Sequence, residues 1–387
     1  MTTGTPDPPA LSPIGRRAFL RGAAVAGGGA VAATLAACVP AGGPVWTFGP
    51  ASLPAPGGSP AVPSPSPAAI SHAATPAAST AATTDPNAAA MNEEHDRSAE
   101  TRVKRFLAGE WEKAGPYGNQ PLEPTIDGDF KVFELECTAF EWRIDAELPP
   151  VNALGYNGTW PGPVLRVTEG DKVRAIVRNS MAESTSVHFH GQALVNKMDG
   201  VPFVTQPPIK PGETFVYEFV AKPYGSHMYH SHHNAADQVG RGLLGAFLVD
   251  PKDARLRHDR RYGISQDIVW VSNDTLGGFT INGRGFPATK PLTAKRGERI
   301  LVRFMNEGQM IHPWHLHGMP MRVVARDGYY LGSAEFTCDT LGVNPGERYD
   351  VIIDCDNPGA WAFHCHILSH AEGPQGMFGM VTALIVQ

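Results

Sequence analysis

Four pairs of histidines spaced two apart stand in this chain: His188/His190, His230/His232, His315/His317 and His364/His366, the last enclosing Cys365. Fifteen histidines in 387 residues would give about half of one such pair by chance, so four pairs need a cause. Imidazole binds Zn, Cu, Fe and Ni. Along a β-strand, alternate residues share a face and neighbours point oppositely. On extended segments, eight rings converge on one side while Cys365 faces the other. Two metal centres placed back to back follow from that geometry.

The cysteine narrows the metal. Two histidines, one thiolate and a weak axial methionine make the trigonal blue-copper electron-transfer site, and the candidates here are His312, Cys365, His370 and Met377. His312 stands three residues before His315, across a proline-containing kink, which turns it towards the side of Cys365. The backbone flanking Cys365 then forms a short covalent wire to His364 and His366.

Positioning these groups takes short strands and sharp turns. Thirty-five Pro and forty-two Gly, with only 18% charged residues, suit such an architecture. The net charge of −6 leaves no basic stripe for a nucleic-acid partner. Beyond residue 120 the chain repeats itself. Asn157-Gly158, Gly170-Asp171, Asn179 and His188-Phe189-His190-Gly191 recur as Asn282-Gly283, Gly297-Glu298, Asn306 and His315-Leu316-His317-Gly318. Pro211-Gly212-Glu213 likewise recurs as Pro345-Gly346-Glu347. The expected fold is all-β: two cupredoxin-like Greek-key sandwiches over residues 101–250 and 251–387, with a boundary near Asp250-Pro251. At the place of Cys365 the first copy has Ser231, and no counterpart of His370 is evident, so only the second half keeps a thiolate site.

The start of the chain reads as an address. Arg16-Arg17-Ala18-Phe19-Leu20-Arg21 before an Ala/Gly-rich run resembles a twin-arginine export signal. Leu35-Ala36-Ala37-Cys38 looks like a lipoprotein box, so residues 1–38 imply an extracytoplasmic protein anchored to the membrane through lipidated Cys38. Residues 39–100 read as a Pro/Ala/Ser-rich disordered linker that buries no core. The charged stretch 92–108, with Glu93, Glu94, Arg102, Lys104 and Arg105, suits a short helix where the folded part begins, with no role legible.

Over about residues 130–387 the chain resembles the multicopper oxidases, in particular their two-domain, laccase-like branch. The carriers are His188-Phe189-His190-Gly191, His230-Ser231-His232, His312-Pro313-Trp314-His315-Leu316-His317-Gly318, and His364-Cys365-His366 followed by His370. The resemblance implies four coppers per functional unit. His188 and His315 would hold the type 2 copper; His190, His230, His232, His317, His364 and His366 the type 3 pair; His312, Cys365 and His370 the type 1 copper. The family commonly places its axial methionine five residues after the last histidine, a position that here is Gln375. Gly376-Met377 reproduces the usual pair two residues later, which makes Met377 the axial candidate after a small insertion, with Met380 as the lesser one. Asp199, in Met198-Asp199-Gly200, matches an acidic proton relay of relatives, and Glu372 is a weaker candidate. His227 and His233 fall off the face of their motif and are expected as supporting or surface residues.

The implied activity is laccase-like: one-electron oxidation of phenolic or aromatic donors coupled to reduction of O2 to water. Oxidation of cuprous, ferrous or manganous ions is the alternative within that chemistry. Copper nitrite reductase is less favoured, because that family keeps its blue-copper cysteine in the first domain, and a simple copper carrier would leave eight histidines unexplained. In two-domain relatives the cluster lies between subunits, which implies a head-to-tail homotrimer, a self-contained monomer being the alternative. Cys137, Cys338 and Cys355 remain, with Cys338 to Cys355 as one conceivable disulfide.

Overall fold

The computed structural model describes residues 86–275 and 278–387. The export signal, Cys38 and the linker up to residue 85 lie outside the described residues.

Each half is a pair of facing sheets, and the two halves repeat one wiring. In the first, Phe130–Trp142 pairs parallel with Lys172–Asn179, which pairs antiparallel with Thr214–Val220. In the second, Gln266–Asn273 pairs parallel with Arg299–Asn306, which pairs antiparallel with Arg348–Asp354. The opposing sheets run Pro121–Leu122, Val164–Thr168, Leu244–Asp250, Gly225–His230, His188–His190, and Leu292–Ala294, Val381–Val386, Gly359–Cys365, His312–Leu316, Thr340–Val343. The all-β, two-sandwich expectation holds.

The repeated Asn-Gly pairs do the same work in both copies. Asn157-Gly158 and Asn282-Gly283 each place two successive residues at positive φ, the backbone that a tight turn of this kind needs. Each asparagine accepts from a backbone N–H with its side chain, Asn157 from Glu136 and Asn282 from Val271. Inside the sandwiches, alternation puts aromatic residues inward. Phe189, Tyr217, Tyr229 and Phe247 fill the first core and Trp270, Phe304, Trp314 and Phe363 the second.

The linker expectation needs a correction. Residues 86–100, assigned to the disordered tether, belong to a helix, α1 (Pro86–Leu107). Its sequence supplies good helix formers, three consecutive alanines followed by glutamates, arginines and a lysine, and Glu100 pairs with that Lys104 one turn on, at 2.6 Å. The helix persists because Arg102 and Phe106 bury themselves against the sandwiches.

Charge joins the halves. Asp350, fully buried, accepts from Ser226 Oγ–H of the first half and lies 3.2 Å from His258 Nε2 and 3.4 Å from Arg303. Arg303 also reaches Asp267, and Arg166 of the first half clasps both Asp250 and Asp267. Burial alone would raise the Asp350 carboxyl, but Arg303, His258 and Ser226 outweigh it and hold the group well below the usual carboxylate range. Asp350→Asn leaves the buried Arg303 with Asp267 as its remaining carboxylate, so denaturant unfolding should show a loss of about 1–3 kcal/mol at neutral pH. Because the folded pKa is depressed, this contribution is present above the unfolded carboxylate pKa and lost as pH falls through the folded one. The gap between wild type and variant should therefore narrow below pH ~4.

Candidate metal centres

His312 opens the strand His312–Leu316, Cys365 closes the strand Gly359–Cys365, and His370 ends the short turn Leu368–His370. Neighbouring strands bring them together, with Trp314 opposite Cys365 and His315 opposite His364. Cys365 Sγ lies 3.8 Å from His312 Nδ1 and 3.6 Å from His370 Nδ1. The three residues are 0%, 0% and 1% exposed. Among the described residues, these form the one group of three or more His, Cys, Asp or Glu whose ligand atoms all lie within 4.8 Å of one another.

Second contacts orient the two rings. His312 Nε2–H donates to Asp274 Oδ2 at 3.1 Å, which commits its proton and leaves the Nδ1 lone pair facing the thiol. His370 lies under Phe279, ring to ring at 4.1 Å and 16°. Burial pushes the Cys365 thiol up to about 11, with Asp274 adding to the effect, so a thiolate there requires a cation that displaces the proton. Two ring nitrogens and one sulfur in a dry pocket suit copper.

On the strand His312–Leu316, residues 312, 314 and 316 are buried and 313 and 315 less so. Plain alternation, with Pro313 inside a regular strand, sends His312 and His315 to opposite faces; the expected kink is not what separates them. His315, His317, His364 and His366 form a quartet on the far side, with ring centroids 4.8–5.8 Å apart. His317 Nε2 and His364 Nε2 approach to 3.2 Å. His188, His190, His230 and His232 form the matching quartet of the first half, at 5.5–6.5 Å.

The two quartets are tethered alike. His188 Nδ1–H donates to the carbonyl of Asp199 at 2.7 Å, and His315 Nδ1–H to that of Asp339 at 2.9 Å. His230 donates to the Ser231 carbonyl and His364 to the Cys365 carbonyl, both at 3.0 Å. Each tie fixes the tautomer and frees Nε2 as a lone-pair donor. Burial, reinforced by Arg348 and neighbouring rings, lowers His190 to about 3; burial likewise lowers His230 to about 4, and it depresses His317 and His364. Each shift is in the direction that favours the neutral ring, the form in which imidazole binds a metal. Among the described residues, no ring contact joins one quartet to the other.

The first half has its own answer to the thiolate site. Thr185 stands three residues before His188, as His312 does before His315. Its hydroxyl and that of Ser231 both donate to Gln238 Oε1, and all three side chains are fully buried. A closed hydrogen-bonded trio thus takes the place of His312, Cys365 and His370. Gln238 comes from a separate short helix, Ala235–Gly240, so no spacing rule announces it.

Other expected residues fall as follows. Asp199 sits beside the first quartet, its carboxylate 3.5 Å from His188 Nδ1 and partly exposed. Gln375 is exposed at the tip of a hairpin whose arms, Glu372–Gly373 and Gly376–Met377, pair Glu372 with Met377. Met377 is partly buried, whereas Met380 is fully buried in the core that contains Cys365. His227 is no surface residue: it is fully buried and donates from Nε2 to the Pro223 carbonyl. His233 is partly buried beside Phe203. Cys137, Cys338 and Cys355 are free thiols, so the bridge from Cys338 to Cys355 is not made; Cys338 lies opposite Met321, at the edge of the core that encloses Cys355. Asp274 and Phe279 escaped the sequence reading because neither sits in a spacing motif. Glu307 did too: buried in a cavity shared with His230 and Gly346, its carboxyl is pushed up to about 8 by burial.

Two family models, each described as multicopper oxidase, match residues 139–254 and 260–385. The chain belongs to the multicopper oxidase family. It is 31% identical to the crystal structure of a blue copper oxidase from Nitrosomonas europaea, covering 66% of this chain and 85% of that one with a TM-score of 0.63. Copper resistance protein A of Escherichia coli is 30% identical over 294 residues, 60% of this chain and 47% of that protein. Laccase-2 of Botryotinia fuckeliana is 31% identical over 264 residues, 58% and 45% respectively. The chain thus spans about half the length of these two curated relatives. The family's cofactor is copper in type 1, 2 and 3 sites, and the donors gathered here fit it.

Asp274→Ala frees the His312 ring to turn and leaves the Gln309 and Met310 N–H groups without their acceptor. Competition against a chelator should show copper held at the buried trio roughly 10–100-fold more weakly, with the quartets' copper retained.

Proposed function

We propose that this chain is a laccase-like oxidase, taking single electrons from phenolic or aromatic donors and delivering four to O2 to make water. The observation that carries the reading is the placement of Cys365: its thiol lies in a dry site with His312 and His370, while His364 and His366 on either side join the quartet with His315 and His317 on the opposite face. In this assignment His312, Cys365, His370 and Met377 hold type 1 copper, and His188 and His315 hold type 2. His190, His230, His232, His317, His364 and His366 hold the type 3 pair. Copper bound in these sites would supply the redox chemistry, accepting electrons one at a time and passing them on together.

The protein's own groups fix distance, dryness and protons. Two peptide units link the Cys365 sulfur to the rings on its flanks, so the electron path is covalent and short. Asp199, partly exposed and close to His188, would be the proton relay between solvent and the cluster. Ser231, closed off by Thr185 and Gln238, leaves the first half without a thiolate, which counts against nitrite reductase chemistry. A cuprous, ferrous or manganous donor would use the same path and is the second substrate class to test.

The separation of the two quartets within one chain supports assembly. Each quartet offers half of the cluster donors, and head-to-tail contact between the first half of one subunit and the second half of the next would unite them in a ring. A homotrimer is the expected closure. The signals in residues 1–38 support export and anchorage of this assembly at the outer side of the membrane.

Copper-loaded protein should consume O2 with a phenolic donor, and a parallel panel of ferrous, cuprous and manganous salts ranks the donors. Protein that binds copper at the trio alone, without O2 uptake, would make it a carrier instead. Cys365→Ser should bind one copper fewer per chain, lose the blue thiolate absorption and lose turnover. Chains carrying His190→Ala and chains carrying His364→Ala should each be inactive alone and regain activity when co-assembled, because a mixed ring contains intact junctions. A monomer would show no such rescue.

A further inference from the structure

The charged stretch ahead of the first sandwich has no part in the chemistry above, yet α1 lies on the hairpin that presents Met377. The segment from His370 to Met377 is two residues longer than the family's usual spacing. Its extra length folds as a two-rung hairpin with Pro374 and Gln375 at the tip. So short a hairpin is not stable by itself.

Helix α1 supplies what it lacks. Ala99 packs on Gly376 so closely that a Cβ at Gly376 would sit 2.6 Å from the Ala99 Cβ, and Gly376 has φ +85° besides. His95 Nδ1–H donates to the Pro374 carbonyl at 2.9 Å. One and two turns along, Val103 and Phe106 share an apolar cluster with Met377, Ala371 and Val381. The helix is anchored independently of the hairpin: Arg102 donates to the Phe286 carbonyl and pairs with Glu147 of the first half at 2.9 Å, and the Phe106 and Phe286 rings lie 5.0 Å apart.

We infer that α1 braces the axial-ligand hairpin, with Ala99 and His95 as positioning residues that set how Met377 meets the type 1 copper. His312 and Cys365 are held by sandwich strands, and His370 by Phe279. The axial group alone depends on a segment from outside both sandwiches. The inference rests on the copper reading proposed above.

The test uses the full-length, copper-loaded protein. Ala99→Leu forces hairpin and helix apart, His95→Ala removes the tie to Pro374, and Ala99→Gly keeps the close approach. Type 1 absorption, electron paramagnetic resonance and midpoint potential report the site, and the rate of type 1 copper loss to a chelator reports its hold. Ala99→Leu should change the ratio of the thiolate absorption bands and the copper hyperfine splitting, and should lose type 1 copper roughly tenfold faster, with the other coppers retained. His95→Ala should shift the same signals in the same direction but less, and Ala99→Gly should keep the wild-type spectrum. If Ala99→Leu does not fold, His95→Ala decides alone. Wild-type spectra and loss rates in a folded variant whose α1 has become protease-sensitive would overturn the brace. Absence of any type 1 signal in the wild type would instead overturn the copper reading itself.

Discussion

One constraint governs the site: consecutive residues on an extended strand must face opposite ways. At the end of Gly359–Cys365 this separates a sulfur from the imidazoles beside it and puts them into different compartments joined by two peptide units. The same rule acts on His312–Leu316, where three residues of separation are enough to set His312 and His315 on opposite faces. A buried site with low dielectric and a more open cluster of rings can then be tuned separately. Moving either set by one residue would exchange their environments, so register is as much a part of this chemistry as ligand identity.

The duplicated fold shows which features belong to the scaffold. Carbonyl ties to His188 and His315, and to His230 and His364, are the same in both halves, because backbone geometry creates them wherever this wiring occurs. The pocket behind the strands is free to differ. In one half it closes on hydroxyls and an amide, Thr185, Ser231 and Gln238; in the other on nitrogen and sulfur, His312, Cys365 and His370. The first closes on its own hydrogen bonds, while the second leaves two ring nitrogens facing one thiol, an arrangement that a bound cation completes. An unfilled version of either would carry the cost of an unpaired buried donor.

The halves are held in a fixed relation where Ser226 and Arg166 of the first meet the buried Asp350, Arg303 and Asp267 of the second. Such pairs specify geometry more than they add stability, since desolvation offsets most of the attraction. Helix α1 bridges the same two halves from another side through Arg102 and Phe106. The structure thus combines a rigid duplicated frame with local additions, and the additions cluster at the thiolate site.

The convergence of the paired histidines and the doubled all-β frame were legible in the sequence, because each is written in spacing that strand geometry reads directly. His188, His190, His230, His232, His315, His317, His364 and His366 lie in two convergent quartets for that reason. Elements joined by distant segments were not legible. Asp274 on His312, Phe279 on His370, Gln238 in the Ser231 pocket and Ala99 on Gly376 come from parts of the chain with no shared period or motif. His227 looked peripheral because its motif faces elsewhere, yet packing buried it; Cys338 and Cys355 looked like a pair, yet strand order keeps them as separate free thiols. The residues of the tether nearest the fold became helix once Phe106 and Arg102 had a surface to bury against. Local periodicity determines which face a side chain takes, and only tertiary packing decides what it meets there.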